Sequence, residues 1–258
     1  RPLITAQHTV EITMSPTARI LVIDAGTTGI RALIYDETAT ILAHAYTEFP
    51  QYHPGPDRVE QDGAEIWDAT RAMIAQALAN AGLAAGDLTA VGITNQRATT
   101  VLWDRETGRP VTRAIVWQDT RTAGRAAELA AEWGDKVYGR TGWSLAPVYS
   151  SLSIEWMLRN VDGLRELADA GRLAFGTVDS WLIYKLTGGA GHVISASNAS
   201  VTGSYDLTTD RWYTEWLDAL GIPVSLYPEV RDDSGLLGHT SVEAIGARVP
   251  ITSAIADQ

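Results

Sequence analysis

A run rich in glycine and threonine, Asp24-Ala25-Gly26-Thr27-Thr28-Gly29, follows an apolar block near the start of the chain. Its glycines would let backbone N–H groups approach phosphate oxygens, Thr27 and Thr28 add hydroxyl donors, and Arg31 adds positive charge. Asp24, at the end of the expected strand, could hold Mg²⁺ directly or through water. The run also suits an ordinary hairpin turn, so composition alone leaves a structural role open. It matches neither the P-loop nor the dinucleotide pattern GxGxxG.

Further polar and aromatic residues stand where apolar blocks end. Arg97 and Trp117 each follow such a block, and Asp257 and Gln258 close the sequence. An arginine can donate hydrogen bonds to hydroxyl groups, and an indole can present an apolar face to a carbon chain. Taken alone, Arg97 is a strand-end surface charge, Trp117 is a core aromatic, and the final Asp-Gln pair has no meaning of its own.

Hydrophobic periodicity predicts the elements that must position these residues. Apolar blocks at 20–23, 31–35 and 41–46, separated by turn residues, predict a three-stranded antiparallel meander. Residues 50–62 are rich in proline, glycine and histidine and are predicted to form a loop. The elements predicted after this loop are a helix at 65–81, strands at 88–94, 99–103 and 113–117, and helices at 122–133, 150–160, 163–170 and 177–186.

The order strand-strand-strand-helix-strand is the βββαβ pattern of the ribonuclease-H-like fold, in which a mixed sheet carries helices on its faces. The predicted fold class is therefore α/β with a helical insertion or second layer. Within it, Asp179 is predicted to cap a helix that begins at Ser180 or Trp181. Structural roles are predicted for most tryptophans and for the histidines, which show no metal-ligand spacing: His8, His44, His53, His192 and His239.

Composition limits the possible partners. The 258 residues are 45% hydrophobic and 20% charged, so the chain can bury a sizeable core. A net charge of -11 argues against nucleic acid or an anionic membrane as a partner, and it remains compatible with a small neutral substrate. The chain contains no cysteine, and no apolar run reaches the roughly 20 residues that span a bilayer. We expect a cytoplasmic protein, and a homo-oligomer remains open.

Several segments occur together in a characteristic order. They are Asp24 to Arg31, Arg58-Val59-Glu60-Gln61-Asp62 with Glu65-Ile66-Trp67 behind it, Gly92-Ile93-Thr94-Asn95-Gln96-Arg97, Ala114-Ile115-Val116-Trp117-Gln118-Asp119-Thr120-Arg121, Phe175-Gly176-Thr177-Val178-Asp179-Ser180-Trp181-Leu182 and Asn198-Ala199-Ser200. As a set they resemble the FGGY carbohydrate kinases, within the actin-like ATPase superfamily, and the glycerol kinases in particular. The resemblance covers residues 20–258. Each segment alone would be weak, but the set is highly specific.

This resemblance implies an ATP- and Mg²⁺-dependent kinase that transfers a phosphoryl group to a hydroxyl of a small polyol or sugar. By the resemblance, Thr27, Thr28 and Arg31 belong to the hairpin that binds the nucleotide phosphates. Asp24 stands at the metal position. The expected partners are therefore ATP, Mg²⁺ and a small-molecule substrate.

The resemblance also implies substrate contacts. Arg97 and Trp117 match the pair that grips the polyol, and Asp257 and Gln258 match the catalytic aspartate and a neighbouring polyol-contacting glutamine. An aspartate beside the acceptor hydroxyl would take its proton as the oxygen attacks the γ-phosphoryl group. Positioning and charge neutralisation would supply the rest of the catalysis.

Two positions depart from the glycerol kinase pattern. Glycerol kinases have a glutamate after the arginine of the Asn-Gln-Arg segment, where this chain has Ala98. They have a tyrosine after the proline of the segment that matches Ala146-Pro147-Val148, whereas here the tyrosine comes one place later, at Tyr149. Losing groups that hydrogen-bond a hydroxyl changes substrate choice strongly. A longer polyol or a ketose, such as a tetritol or a pentulose, is therefore an open alternative.

The implied domain organisation is a tail at 1–18, expected to be disordered, followed by an FGGY N-terminal domain at 19–258. The tail is alternatively an upstream extension before a natural start at Met14. FGGY kinases have a second domain across the active-site cleft, which this sequence lacks, so we expect little or no kinase activity from the isolated chain. The other hypotheses are a polyol-binding module or fragment without kinase activity, and an actin-like structural protein that needs no polyol-binding residues.

Overall fold

The computed structural model describes residues 18–257. Gln258 and residues 1–17, with the predicted tail, Met14 and His8, lie outside the described residues, whereas Ala18 is buried. The strands are β1 (Ile20–Ala25), β2 (Gly29–Tyr35), β3 (Ile41–Glu48), β4 (Tyr52–Gly55), β5 (Arg58–Gln61), β6 (Ala90–Asn95), β7 (Val101–Asp104), β8 (Arg109–Pro110), β9 (Ala114–Ile115), β10 (Leu173–Gly176), β11 (Val193–Ser195), β12 (Tyr205–Asp206), β13 (Arg211–Trp212), β14 (Glu229–Arg231), β15 (Ser234–His239) and β16 (Pro250–Ala256). The helices are α1 (Gly63–Ala81), α2 (Ala123–Thr141), α3 (Ser150–Asn160), α4 (Leu164–Asp169), α5 (Val178–Leu186), α6 (Ala196–Ser200), α7 (Thr214–Ala219) and α8 (Val242–Ile245), with 3₁₀ turns at Ala85–Asp87 and Val224–Leu226.

The central sheet has six strands in the order β15-β16-β6-β1-β2-β3. Strands β1, β2 and β3 form the predicted antiparallel meander, and β6 pairs in parallel with β1 and with β16. The edge strand β15 pairs antiparallel with β16. The sheet is therefore mixed, as the βββαβ pattern predicted.

The main core lies between this sheet and helices α1 and α5. Leu21 and Ile23 on β1 are completely buried, whereas Val22 between them is only partly buried, which is the alternation of a strand with one face in the core. Helix α1 begins after Asp62, whose carboxylate accepts a hydrogen bond from Ala64 N at 2.7 Å. The predicted helix at 65–81 is confirmed within two residues.

A second core lies between helices α2, α3, α4 and α7 and strand β10. It forms the predicted helical layer, and α3 has the predicted bounds. Helix α2 is longer than predicted because the buried side chains of Trp133 and Val137 continue its apolar side beyond residue 133. None of the helices in residues 18–257 combines the length and the apolar character that crossing a bilayer requires.

The predicted loop at 50–62 is instead the hairpin of β4 and β5, and this prediction was wrong. Its strands are stabilised by residues distant in sequence. The Arg113 guanidinium lies 3.6 Å from the centre of the Tyr52 ring, and Val59 N donates to Asp119 Oδ2 at 2.7 Å. Strand β5 also pairs with β9. Such contacts override the loop preference of proline and glycine.

The predicted capping role of Asp179 was also wrong. Helix α5 begins at Val178, one residue before Asp179, so Asp179 lies inside the helix. The N-cap residue is Thr177, and its side chain makes no capping hydrogen bond. The buried Asp179 carboxylate instead accepts hydrogen bonds from Thr177 Oγ1 and, at 3.0 and 2.9 Å, from the backbone N and Oγ of Ser195. Burial raises the pKa of this carboxyl, although the hydrogen bonds that it accepts, including those from Thr177 and Ser195, favour the ionised form. Asp179 thus joins α5 to the end of β11.

His192 has the structural role predicted for the histidines. Its Nε2 lies 2.8 Å from Phe175 O, its Nδ1 lies 2.9 Å from Arg105 Nη1, and its ring packs edge-on against Trp103. A neutral ring protonated on Nε2 satisfies both contacts, because it donates to the carbonyl and accepts from the guanidinium. Burial, with a smaller contribution from Arg105, lowers the pKa of His192 to about 4.

The depressed pKa of His192 predicts a loss of stability in mild acid. An unfolded histidine takes up its proton near pH 6.5 and the folded one only near pH 4, so stability is present above pH 6.5 and is lost as the pH falls towards 4. Between pH 7.5 and pH 5 we expect a loss of about 2 kcal/mol in the free energy of unfolding. Urea unfolding at both pH values measures it. The variant His192→Gln should lose less over the same interval, and an equal loss would exclude His192 as the cause.

Candidate functional site

Three parallel strands end at one edge of the central sheet. Beyond β1 comes Thr27, beyond β6 comes Arg97, and beyond β16 comes Asp257. The β6 end is bonded to both neighbours, because Gln96 N donates to Ala25 O at 2.9 Å and Asp257 N donates to the carbonyl of Asn95 at 3.1 Å. The carboxyl ends of parallel strands are where open α/β sheets place ligands.

A cavity of about 180 Å³ lies at this edge. It brings together the predicted substrate residues Arg97, Trp117 and Asp257 with Thr27 of the glycine- and threonine-rich turn. Trp117 is 44% exposed and is not the core aromatic that its apolar surroundings suggested. The remaining lining residues are Ala98, Trp143, Val148, Tyr149 and Val201.

Three glutamines hold the turn between β1 and β2 in place. Thr27 O accepts hydrogen bonds from Gln51 Nε2 at 2.9 Å and from Gln61 Nε2 at 2.8 Å. Gln61 Oε1 in turn accepts from Gln96 Nε2 at 2.8 Å, and Gln96 Oε1 accepts from Thr99 Oγ1 at 2.9 Å. Both Gln61 and Gln96 are buried. This cluster was not predicted from the sequence. Gln96, a long polar residue directly after the apolar strand β6, was the signal that a buried hydrogen-bonding partner is needed there.

Trp117 approaches the same turn from another element. Its Nε1 donates to Thr27 Oγ1 at 3.1 Å, which leaves the flat face of the indole to line the cavity. The segment that carries Trp117 is positioned by Val116 N, which donates to Val59 O on β5 at 3.0 Å. The β4 and β5 hairpin therefore helps to position the indole.

The other predicted phosphate and metal residues lie on β1, on β2 or in the turn between them, and they do not line the cavity. Arg31 Nη1 lies 3.2 Å from Asp24 Oδ2, and its guanidinium lies over the Tyr46 ring, 5.5 Å from the ring centre. Thr28 is exposed at the tip of the turn. Among residues 18–257 no group of three or more acidic or histidine side chains could hold a metal. Asp24 therefore belongs to no such group among the described residues.

Buried polar groups fix the backbone before Asp257. Ala256 N donates to Ser197 Oγ at 3.0 Å, and Asn95 and Asn198 exchange two side-chain hydrogen bonds of 3.0 Å. Asn198 Nδ2 also donates to Ser195 Oγ at 2.9 Å, and that hydroxyl reaches the carboxylate of Asp179. The strand end that carries Asp257 is therefore connected to the interior of the protein. None of these supporting roles was predicted from the sequence.

Arg97 and Asp257 form an ion pair at the cavity, with 3.9 Å between Arg97 Nε and Asp257 Oδ1. Their side chains are 30% and 42% exposed, so both can contact a molecule in the cavity. Such partly exposed pairs contribute little to stability. Gln258, the remaining predicted substrate residue, lies outside the described residues.

The two departures noted in the sequence both occur at the cavity wall. Ala98 and Val148 line it, and Ser150 Oγ donates to Ala98 O at 3.3 Å, which holds the two segments together. Tyr149 is buried, and its ring packs directly against the backbone of Gly203, whose φ is 70°. A side chain at position 203 would not fit, because its Cβ would lie 2.2 Å from the tyrosine ring. The Tyr149 hydroxyl is enclosed beside Thr141, and burial raises its pKa. The shifted tyrosine therefore presents its ring to the cavity and not its hydroxyl.

The geometry agrees with the comparisons to known proteins. Residues 19–258 match the family model for the N-terminal domain of the FGGY carbohydrate kinases. The chain belongs to the FGGY family of carbohydrate kinases. Curated relatives include glycerol kinases of Deinococcus radiodurans, 45% identical over 95% of this chain, and of Brucella ovis, 46% identical over 93%. The chain spans 49% and 48% of those two proteins, about half of their length.

Solved structures give the same FGGY fold. A Plasmodium falciparum glycerol kinase with ADP superposes with a TM-score of 0.89 at 28% identity, covering 94% of this chain and 49% of that one. A xylulose kinase from Rhodospirillum rubrum has a TM-score of 0.83 at 23% identity, covering 93% and 49%, and supports the fold alone. The family and the fold class predicted from the sequence are thereby confirmed.

The glutamine cluster predicts a measurable contribution of Gln61 to this FGGY domain. In Gln61→Leu, one donor to Thr27 O and the acceptor of Gln96 Nε2 are both lost in a buried site, which costs about 1–3 kcal/mol in the free energy of unfolding. Urea denaturation measures this loss. Gln76, which is exposed on α1, provides the matched control Gln76→Leu, expected to change stability by about 0.5 kcal/mol or less. Equal effects would mean that the buried bonds contribute nothing specific.

Proposed function

We propose that this chain is the N-terminal domain of a kinase that transfers the γ-phosphoryl group of ATP to a hydroxyl of a small polyol. The observation that carries the proposal is one cavity lined by Thr27, Arg97, Trp117 and Asp257. It combines a turn suited to phosphate, a cation that donates to hydroxyls, an indole face for carbon and a carboxylate that can accept a proton. Membership of the FGGY family and about 45% identity to glycerol kinases support the same activity.

Asp257 is the proposed general base. A substrate hydroxyl bonded to its carboxylate gives up its proton to Asp257 as the oxygen forms a bond to the γ-phosphorus. The bond from that phosphorus to the bridging oxygen breaks, and its electron pair leaves with ADP. Arg97, 3.9 Å from Asp257, donates to a neighbouring hydroxyl and orients the acceptor. The backbone hydrogen bonds from Asp257 N to Asn95 O and from Ala256 N to Ser197 Oγ hold the chain that carries this carboxylate at the cavity edge.

The turn between β1 and β2 is the proposed site for the nucleotide phosphates. Thr28 is exposed there and Thr27 is only partly buried, so their hydroxyl groups are available to donate to phosphate oxygens. Arg31 adds positive charge nearby. Mg²⁺ commonly binds one or two carboxylates together with substrate phosphates, and a single carboxylate at Asp24 suits that pattern. When bound, the ion would neutralise charge on the phosphates.

Because the chain spans about half of its curated relatives, we propose that its cavity binds the polyol and that transfer requires a second domain. The competing hypothesis is a polyol-binding module without kinase activity. An assay of ATP-dependent phosphorylation separates them, with a panel of glycerol, tetritols and pentuloses offered to this chain and to a version extended through a second domain. Activity of the extended version supports the kinase. Inactivity of both with polyol binding retained would contradict it, and a tetritol or pentulose as the preferred acceptor would place the substrate among longer polyols.

The base role predicts the effect of Asp257→Asn in the version that shows activity. The amide cannot take the hydroxyl proton, so we expect kcat to fall by at least a hundredfold, as loss of a general base typically does. Substrate affinity should change little, because the amide keeps a hydrogen-bonding oxygen. Steady-state kinetics measure kcat, and tryptophan fluorescence measures binding.

The matched control is Asp218→Asn, which removes an exposed carboxylate on α7. It should retain full kcat. An unchanged rate in Asp257→Asn would remove this residue from the base role.

A further inference from the structure

The residues that line the cavity fall into two groups, one polar and one apolar. Its polar members are Arg97 and Asp257, which face each other at 3.9 Å, and the Thr27 hydroxyl, which already accepts a hydrogen bond from Trp117. The Arg97 and Asp257 pair therefore supplies the charged groups that can bond two adjacent hydroxyls of an occupant. Among the other described lining residues, Ala98, Val148 and Val201 are apolar, and Trp143 presents an indole.

Three small apolar residues form a continuous wall, namely Ala98, Val148 and Val201. The segment that begins α3 joins them, because Ser150 Oγ donates to Ala98 O at 3.3 Å and Ser151 N donates to the carbonyl of Thr202, next to Val201, at 3.3 Å. The Tyr149 ring completes this wall while its hydroxyl stays enclosed in the protein. A hydroxyl placed against this wall would lose water and find no side-chain partner among the described residues.

We infer that the cavity selects an alcohol with two adjacent hydroxyls at one end and an alkyl group at the other, a terminal deoxy-diol. The hydroxyls contact Arg97 and Asp257, and the alkyl end packs against Ala98, Val148 and Val201. This inference rests on the proposed function, since it names the acceptor class of the same site. It differs from glycerol, whose third hydroxyl would meet the apolar wall.

The three residues of the apolar wall are small, so the probes carry short alkyl ends. Propane-1,2-diol ends in one alkyl carbon beside its two hydroxyls. Butane-1,2-diol ends in two and has the same number of non-hydrogen atoms as glycerol. We therefore take these two diols as probes.

The test compares dissociation constants of the diols with that of glycerol. Trp117 and Trp143 both line the cavity and are 44% and 45% exposed, so their fluorescence reports its occupation. We expect propane-1,2-diol to bind about tenfold more tightly than glycerol, the size of effect that one group in an apolar pocket produces. Butane-1,2-diol should bind at least as tightly as propane-1,2-diol.

Valine-to-threonine variants, which nearly keep the shape of the side chain, test whether the apolar wall causes the preference for diols over glycerol. Val148→Thr and Val201→Thr each place a hydroxyl in the wall, and each should reduce the tenfold preference to about threefold or less by giving glycerol a partner. Val224 is 46% exposed and does not line the cavity, so Val224→Thr is the matched control and should keep the full preference. Circular dichroism and urea unfolding verify that each variant folds.

The outcomes separate this inference from the proposed function. Tighter binding of the diols, lost in the wall variants and kept in the control, supports the inference. Glycerol bound as tightly as the diols, together with phosphorylation of glycerol in the kinase assay, would overturn the inference and leave the proposed function standing. Absence of binding by all three alcohols would overturn the inference, and the phosphorylation panel with tetritols and pentuloses would then decide the proposed function. A preference for the diols that survives in both wall variants would exclude the wall as its cause and so overturn the inference.

Discussion

Strand β6 pairs in parallel with β1 on one side and with β16 on the other, and this double pairing brings three distant segments to one edge of the sheet. Thr27, Arg97 and Asp257 are separated by 70 or more residues along the chain, yet each follows one of these strands. Because backbone hydrogen bonds continue past the strand ends, from Gln96 N to Ala25 O and from Asp257 N to Asn95 O, the register of the sheet determines where the side chains lie.

The supporting groups around this edge are mostly neutral amides and hydroxyls. The carbonyl of Thr27 is bonded by two glutamines, and Asp257 is supported through Asn95 and Ser197. Neutral donors and acceptors can be buried at low cost when every bond is made, whereas buried charges cost more. The charged groups of the site therefore remain partly exposed at the cavity, where a ligand can reach them.

Local pattern was sufficient for much of the fold. Apolar alternation predicted the β1 to β3 meander, and the helical spacing of Ile66, Ile74 and Leu78 predicted α1, because in each case one face packs on a single core. The hairpin at residues 50–62 was missed because its strands depend on β9 and on Asp119, about sixty residues later in the chain. The capping role given to Asp179 failed for the same reason, since its partner Ser195 lies sixteen residues away.

For the site, the sequence indicated residues that line the cavity but not the residues that hold them in position. Arg97, Trp117 and Asp257 were proposed through a family resemblance, and the structure brings them to one cavity. The consequence of the one-place shift to Tyr149 needed the structure, because Gly203 provides the space that lets the ring turn inward and enclose its hydroxyl.

The exposure of the Arg97 and Asp257 pair bears on the proposed kinase reaction. Because both side chains contact solvent, water and salt weaken their attraction at 3.9 Å, and the proposed exchange of this ion pair for a bond to a substrate hydroxyl would cost little. Covering the same pair would strengthen every electrostatic interaction in the cavity and exclude water from the phosphoryl group. In the proposed kinase, the open site would bind the alcohol, and efficient phosphoryl transfer would require a surface that closes over it.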